Sequence, residues 1–274
     1  MRRLLGALIG VTLACGACTS GSADDEAKPS PATPEAPAVS LASLGIDWPA
    51  ADGGLEPADP PPAPAGFDDG RFARMAGILT DWAQLTTLDE DVRYSAQPVE
   101  QIAEAFSDAD AADLREEAAA AVSPGLMVAN VFGDEVTVVG APRVTTAWDV
   151  STETDDAGEQ YTRLALQTRA AYEVRLGDDA PTRVIGVLRV HALNAYRDTT
   201  DDFGLSWAWQ EFGALDCALA LDDDLVPEDD LDAAERDLKT FIEVGAGEKL
   251  VMPPLPREEQ VDKDYLERCR NGMT

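Results

Sequence analysis

Hydrophobic spacing divides the chain into a helical block, a strand block and a mixed tail. From residue 67 to about 122 the apolar positions recur at helical intervals. Phe72, Met75, Ala76, Leu79, Trp82 and Ala83 form one stripe, and Asp68 or Asp69 can cap the helix that carries it. Pro98 opens a second helix with Val99, Ile102, Ala103 and Phe106 on one face. A third starts at Asp108, carries Ala111, Leu114, Ala118, Ala121 and Val122, and stops at Ser123-Pro124-Gly125. These stripes read as core.

After Gly125 the period shortens to two. Residues 126–132 and 135–150 read as strands joined by Gly133-Asp134, a two-residue hairpin signal, and Pro142 marks an edge or a bulge. The clearest strand spans 161–176. Leu164, Leu166, Ala170, Tyr172 and Val174 point one way; Arg163, Gln167, Arg169, Glu173 and Arg175 point the other. A turn leads into 182–197, where Val184, Leu188, Val190 and Tyr196 oppose Arg183, Arg189, His191 and Arg197. The last strand, 205–221, holds Trp207 and Trp209, with a phase slip at Phe212-Gly213. The tail predicts a helix with Leu231, Ala234, Leu238, Phe241 and Ile242, then a final helix with Val261, Tyr265 and Cys269. The order predicts an α+β domain: N-terminal helices packed on a curved antiparallel sheet of four to five strands, with a C-terminal helical extension.

The first residues follow a different rule. Arg2 and Arg3 precede an apolar run from Leu4 to Ala14, the layout of an export signal and too short to span a bilayer. Thr12-Leu13-Ala14-Cys15 resembles the lipobox of bacterial lipoproteins. That resemblance implies cleavage before Cys15, whose thiol then carries diacylglycerol; Cys18 is the alternative. It also implies an exported protein held on the outer face of the cell membrane. Ten of the 18 prolines fall between residues 19 and 66, a composition that cannot bury enough apolar surface to offset its ordering entropy. The expected organisation is a signal peptide at 1–14, a disordered tether at 15–66 and the domain at 67–274. Within the tether, 41–48 is apolar enough to dock, with Trp48 its largest side chain.

Composition narrows the function. With 52 acidic against 21 basic residues, the 274-residue chain carries a formal charge of −31. Nucleic acid would be repelled, and so would an anionic lipid surface. Membrane attachment must then come from the lipid chains. Alanine-rich, lysine-poor usage resembles lipoproteins of high-GC Gram-positive bacteria and equally suits salt adaptation. A single histidine, His191, excludes a multi-histidine metal site. Cys217 and Cys269 remain in the exported domain, where conditions permit a disulfide between them.

Six arginines stand out against this acidity. Arg163, Arg169, Arg175, Arg183, Arg189 and Arg197 are expected to share one sheet face once the two long strands pair. That face is either ion-paired with the acidic loops at 198–202 and 222–224, or a site for an anionic ligand or an acidic protein partner. Around Asp198, Thr200 and Asp202, Phe203 stands where a calcium loop needs glycine. No phosphate loop, nucleophile elbow or zinc pattern occurs, so neither cofactor nor metal is expected.

The element order over about 67–221 resembles the NTF2-like (cystatin-like) architecture, which implies a curved sheet wrapped around helices. That architecture serves enzymes, binding modules and scaffolds alike. The reading is a lipid-anchored envelope protein that binds a ligand or protein and is not an enzyme; a hydrolase and a structural spacer are the alternatives. A buried pocket lined by Trp207, Trp209 or Tyr196 with convergent polar groups would favour ligand binding over the alternatives.

Overall fold

In the computed structural model the described residues are 38–196, 203–214, 218 and 222–251. Cys15, Cys18, Arg197, Cys217, Cys269 and the expected helix around Tyr265 lie outside them, as do residues 1–37. Helix α1 spans Asp69–Leu88, and Asp68 caps it by accepting from the Arg71 N–H at 2.7 Å. Its buried side includes the expected stripe and runs on through Thr86 and Thr87. Asp89 then caps the short α2, Glu90–Arg93, by accepting from the Val92 N–H. Helices α3 (Pro98–Ala103) and α4 (Asp108–Ala120) follow as their proline and Ser107 cap direct.

The expected strand at 126–132 is corrected. Pro124 starts a helical turn, α5, over Pro124–Val128. The segment is buried from Gly125 through Gly133, and an apolar run buried on all sides carries no period to tell strand from helix. The expected hairpin is therefore absent there. The strands are β1 (Val136–Val138), β2 (Arg143–Thr154), β3 (Gln160–Leu176), β4 (Arg183–Tyr196) and β5 (Gly204–Phe212), all paired antiparallel. β1 and β2 follow one another along one edge of β3, interrupted at residues 139–142, where Pro142 falls. β4 and then β5 lie beyond the other edge. Helix α6, Leu231–Phe241, is capped by Asp230 and forms the C-terminal helical element. The α+β architecture of helices on a five-stranded antiparallel sheet is thus present.

Both faces of this sheet are covered. Leu164, Leu166, Ala170, Tyr172, Ile185, Val187 and Leu193 face helices α1 to α5 and join one core. Ala171, Val184, Leu188 and Phe212 face the other way, into a second core with Leu238 and Phe241 of α6. A Cβ at Gly186 would sit 2.7 Å from the Phe241 ring, so only glycine lets α6 approach this closely.

The second core also contains Leu41, Ile46 and Trp48. The tether expected over 15–66 is therefore corrected across 38–66, which lies on the domain. Val39 donates to the Thr182 carbonyl, Leu41 to the Glu173 carboxylate, and Val144 to the Pro49 carbonyl. Ala50 bridges Arg143 at the edge of β2, and Trp148 Nε1 donates to the Ala58 carbonyl at 2.7 Å. Prolines suit such an extended strap because they present no N–H needing a partner. The buried Leu41, Ile46, Trp48 and Leu55 each contribute roughly 1.5–3 kcal/mol by leaving water, enough to offset much of the ordering cost.

Candidate functional site

The pairing register decides the fate of the arginines. Arg169 stands opposite Leu188 and Arg189 opposite Thr168, so odd positions of β3 share a face with even positions of β4. Arg163, Arg169 and Arg175 therefore lie on one side of the sheet, and Arg183 and Arg189 on the other. The single arginine face is corrected to two.

The central pair is also buried, at 1% exposure for Arg169 and 2% for Arg189. Arg169 donates to the carbonyls of Phe241 and Val244 at 2.9 and 3.0 Å, and to that of Gly245. Its guanidinium lies 4.7 Å from the centre of the Trp48 ring. Arg189 donates to Asn130 Oδ1 and to the carbonyls of Leu126 and Met127. Burial lowers both pKa values, to about 10 for Arg169 and about 9 for Arg189. Their donors serve the end of α6 and the turn of α5. Arg175 is exposed and bonds Thr182 Oγ1.

His191 lies on the helix side, 1% exposed. The Thr86 hydroxyl donates to the Ala83 carbonyl and stands 3.1 Å from His191 Nε2. That network makes Nε2 the protonated nitrogen, and Nδ1 is left without a partner. The Trp82 ring covers the imidazole with centroids 4.5 Å apart.

Part of the acidic run at 222–224 is structural. Asp223, at φ +62°, accepts from the backbone N–H groups of Gly125 and Leu126. A Cβ on Gly125 would meet its carboxylate at 2.8 Å, so glycine is needed there. Burial, then the neighbouring Asp223, Asp222, Glu135 and Asp134, pushes the Asp224 pKa up to about 6. Among the described residues no cluster of His, Cys, Asp or Glu could hold a metal ion. No described helix is long and apolar enough to cross a membrane.

A cleft of about 610 Å³ opens beside α1. Ile78, Trp82, Leu85 and Leu88 supply its apolar side from the helix, and Phe106 faces them from the chain after α3. Trp82 and Phe106 meet edge to face, with centroids 5.1 Å apart. The opposite wall is the strap at residues 51–54, where Gly53 and Gly54 add no side chain. Gln84 fixes that wall by accepting from the Leu55 N–H, and Ala51 donates to the Pro142 carbonyl. Asp52, Asp81 and Asp89 also line the cleft, and among the described residues no lysine or arginine does. The indole N–H of Trp82 is buried without a hydrogen-bond partner.

Trp207, Trp209 and Tyr196 do not line this cleft. Trp207 and Trp209 are half-buried on β5 against the helix-side core, Trp207 touching Trp82 at 5.8 Å. Tyr196 bonds the Asp155 carboxylate. The signal for the cleft was a second apolar strip on α1, Ile78-Leu85-Leu88, beside the core stripe. Compared with protein-family models, curated proteins and solved structures, the chain matches none of them.

The buried histidine makes stability depend on pH. Burial and the nearby Arg189 charge hold its pKa well below the usual 6.5, so the fold keeps it neutral. The unfolded chain takes up a proton as pH falls below about 6.5, and this stabilising contribution is lost on acidification. Asp224, whose pKa is raised in the fold, acts with opposite sign in part of that window. The comparison with His191→Gln isolates the histidine. Urea unfolding between pH 7 and 5 should show the wild type losing stability relative to His191→Gln as the pH falls. Parallel curves would contradict the assignment.

Proposed function

We propose that this chain is a lipid-anchored cell-envelope protein whose domain acts by binding a ligand in the cleft beside α1. The observation that carries the binding reading is the cleft itself. Its volume of about 610 Å³ falls in the range of small-molecule sites, roughly 300–1,000 Å³. It combines an apolar wall with a few polar groups, the composition that orients a ligand as well as holding it. The walls come from a packed helix and from a strap pinned at both sides, so the shape is set before a ligand arrives. Such preorganisation reduces the ordering cost of binding.

The anchoring reading rests on the export layout and the lipobox resemblance ending at Cys15, with Cys18 as the alternative. A chain of net charge −31 has no electrostatic route to an anionic membrane, so covalent lipid supplies the attachment. Cys217 and Cys269 then form a disulfide outside the cytosol.

Two measurements test the two parts. Intact mass and membrane fractionation of the native protein should give a diacylglycerol-bearing chain beginning at Cys15, and Cys15→Ala should release it from the membrane. A soluble, unlipidated wild-type product contradicts the anchor. For the cleft, the full-length Cys15→Ala chain is titrated with 1-naphthylmethanol and followed by ¹H–¹⁵N NMR. The Trp82 indole signal should move saturably, and Leu85→Glu should weaken the binding by about tenfold, the loss of one apolar contact site. Absence of any shift at Trp82 contradicts the binding reading.

A further inference from the structure

We infer that the cleft is built for a small organic cation with an apolar body. This rests on the cleft being a binding site and adds the charge of the ligand. Three aspartates line it and, among the described residues, no basic side chain does. Of these, Asp89 is committed to the N-terminus of α2 through the Val92 N–H. Among the described residues the carboxylates of Asp52 and Asp81 have no ion-pair or hydrogen-bond partner. Asp52 lies on the strap and Asp81 on α1, and both are exposed at the cleft.

Two unpaired carboxylates around an apolar slot leave a negative potential that nothing in the slot answers. An anionic ligand would meet repulsion there, and a neutral one would leave the charges unused. A cation gains from both carboxylates while its body rests against Trp82, Leu85 and Phe106.

The test compares three isosteric probes on the full-length Cys15→Ala chain: 1-naphthylmethylammonium, 1-naphthylmethanol and 1-naphthoate. Affinity is read from NMR shifts at the Trp82 indole in low salt and again in 0.5 M salt. The ammonium should bind about tenfold tighter than the alcohol, with naphthoate weakest, since two partly exposed charge pairs contribute on the order of 1 kcal/mol together. Salt should erode that advantage. In Asp52→Asn/Asp81→Asn the ammonium should fall to the level of the alcohol while the alcohol binds as before. Equal binding of alcohol and ammonium by the wild type overturns the inference and leaves the cleft as a site. An ammonium preference that survives the double substitution also overturns it, because the whole protein's charge would then be responsible. Failure of all three probes overturns the binding reading and this inference together.

Discussion

Two guanidinium groups buried on opposite sides of one sheet hold the three layers of the fold in place. A buried charge loses several kcal/mol of hydration, and that loss is recovered only when nearly every donor finds an acceptor. Here the acceptors are almost all backbone carbonyls. Arg169 takes those of Phe241, Val244 and Gly245, where α6 ends and its orphan carbonyls need partners. Arg189 takes those of Leu126 and Met127, together with the Asn130 amide oxygen. Arginine suits both positions because its planar fork presents five donors at once, which the ammonium of lysine cannot. The strap depends on the first clamp, since Trp48 lies beside the Arg169 guanidinium and edge-on to Phe241.

From this follows the cleft. Its one wall is α1, seated on the sheet by Leu79, Trp82 and Ala83; its other wall is the strap that begins in the second core. The cleft therefore lies between α1 and the strap at residues 51–54. The acidity of the whole chain is also present at this cleft, in Asp52 and Asp81.

Much of this was legible in the sequence, and the exceptions have physical causes. The α1 stripe, Asp68 as its cap, and the alternation in β3 and β4 were readable because each is a local pattern. The distribution of the arginines was not. Alternation fixes the two sides of each strand, but which sides coincide depends on register, and a one-residue change swaps them. The strap was hidden by composition: proline, alanine and aspartate dominate 38–66, yet Leu41, Ile46, Trp48 and Leu55 suffice to seat it. The turn at Pro124–Val128 was masked by uniform burial. Within α1, Ile78, Leu85 and Leu88 were visible as apolar, but only the position of the strap makes them a site.

The central claim is that each arginine secures its own layer, and hydrogen exchange of Arg169→Met and Arg189→Met tests it most directly. Arg169→Met should speed exchange in α6 and residues 38–50 while α5 and the chain following it stay protected. Arg189→Met should do the reverse, loosening 124–130 and leaving α6 protected. Identical exchange patterns in the two variants, or no change in either, would contradict the account.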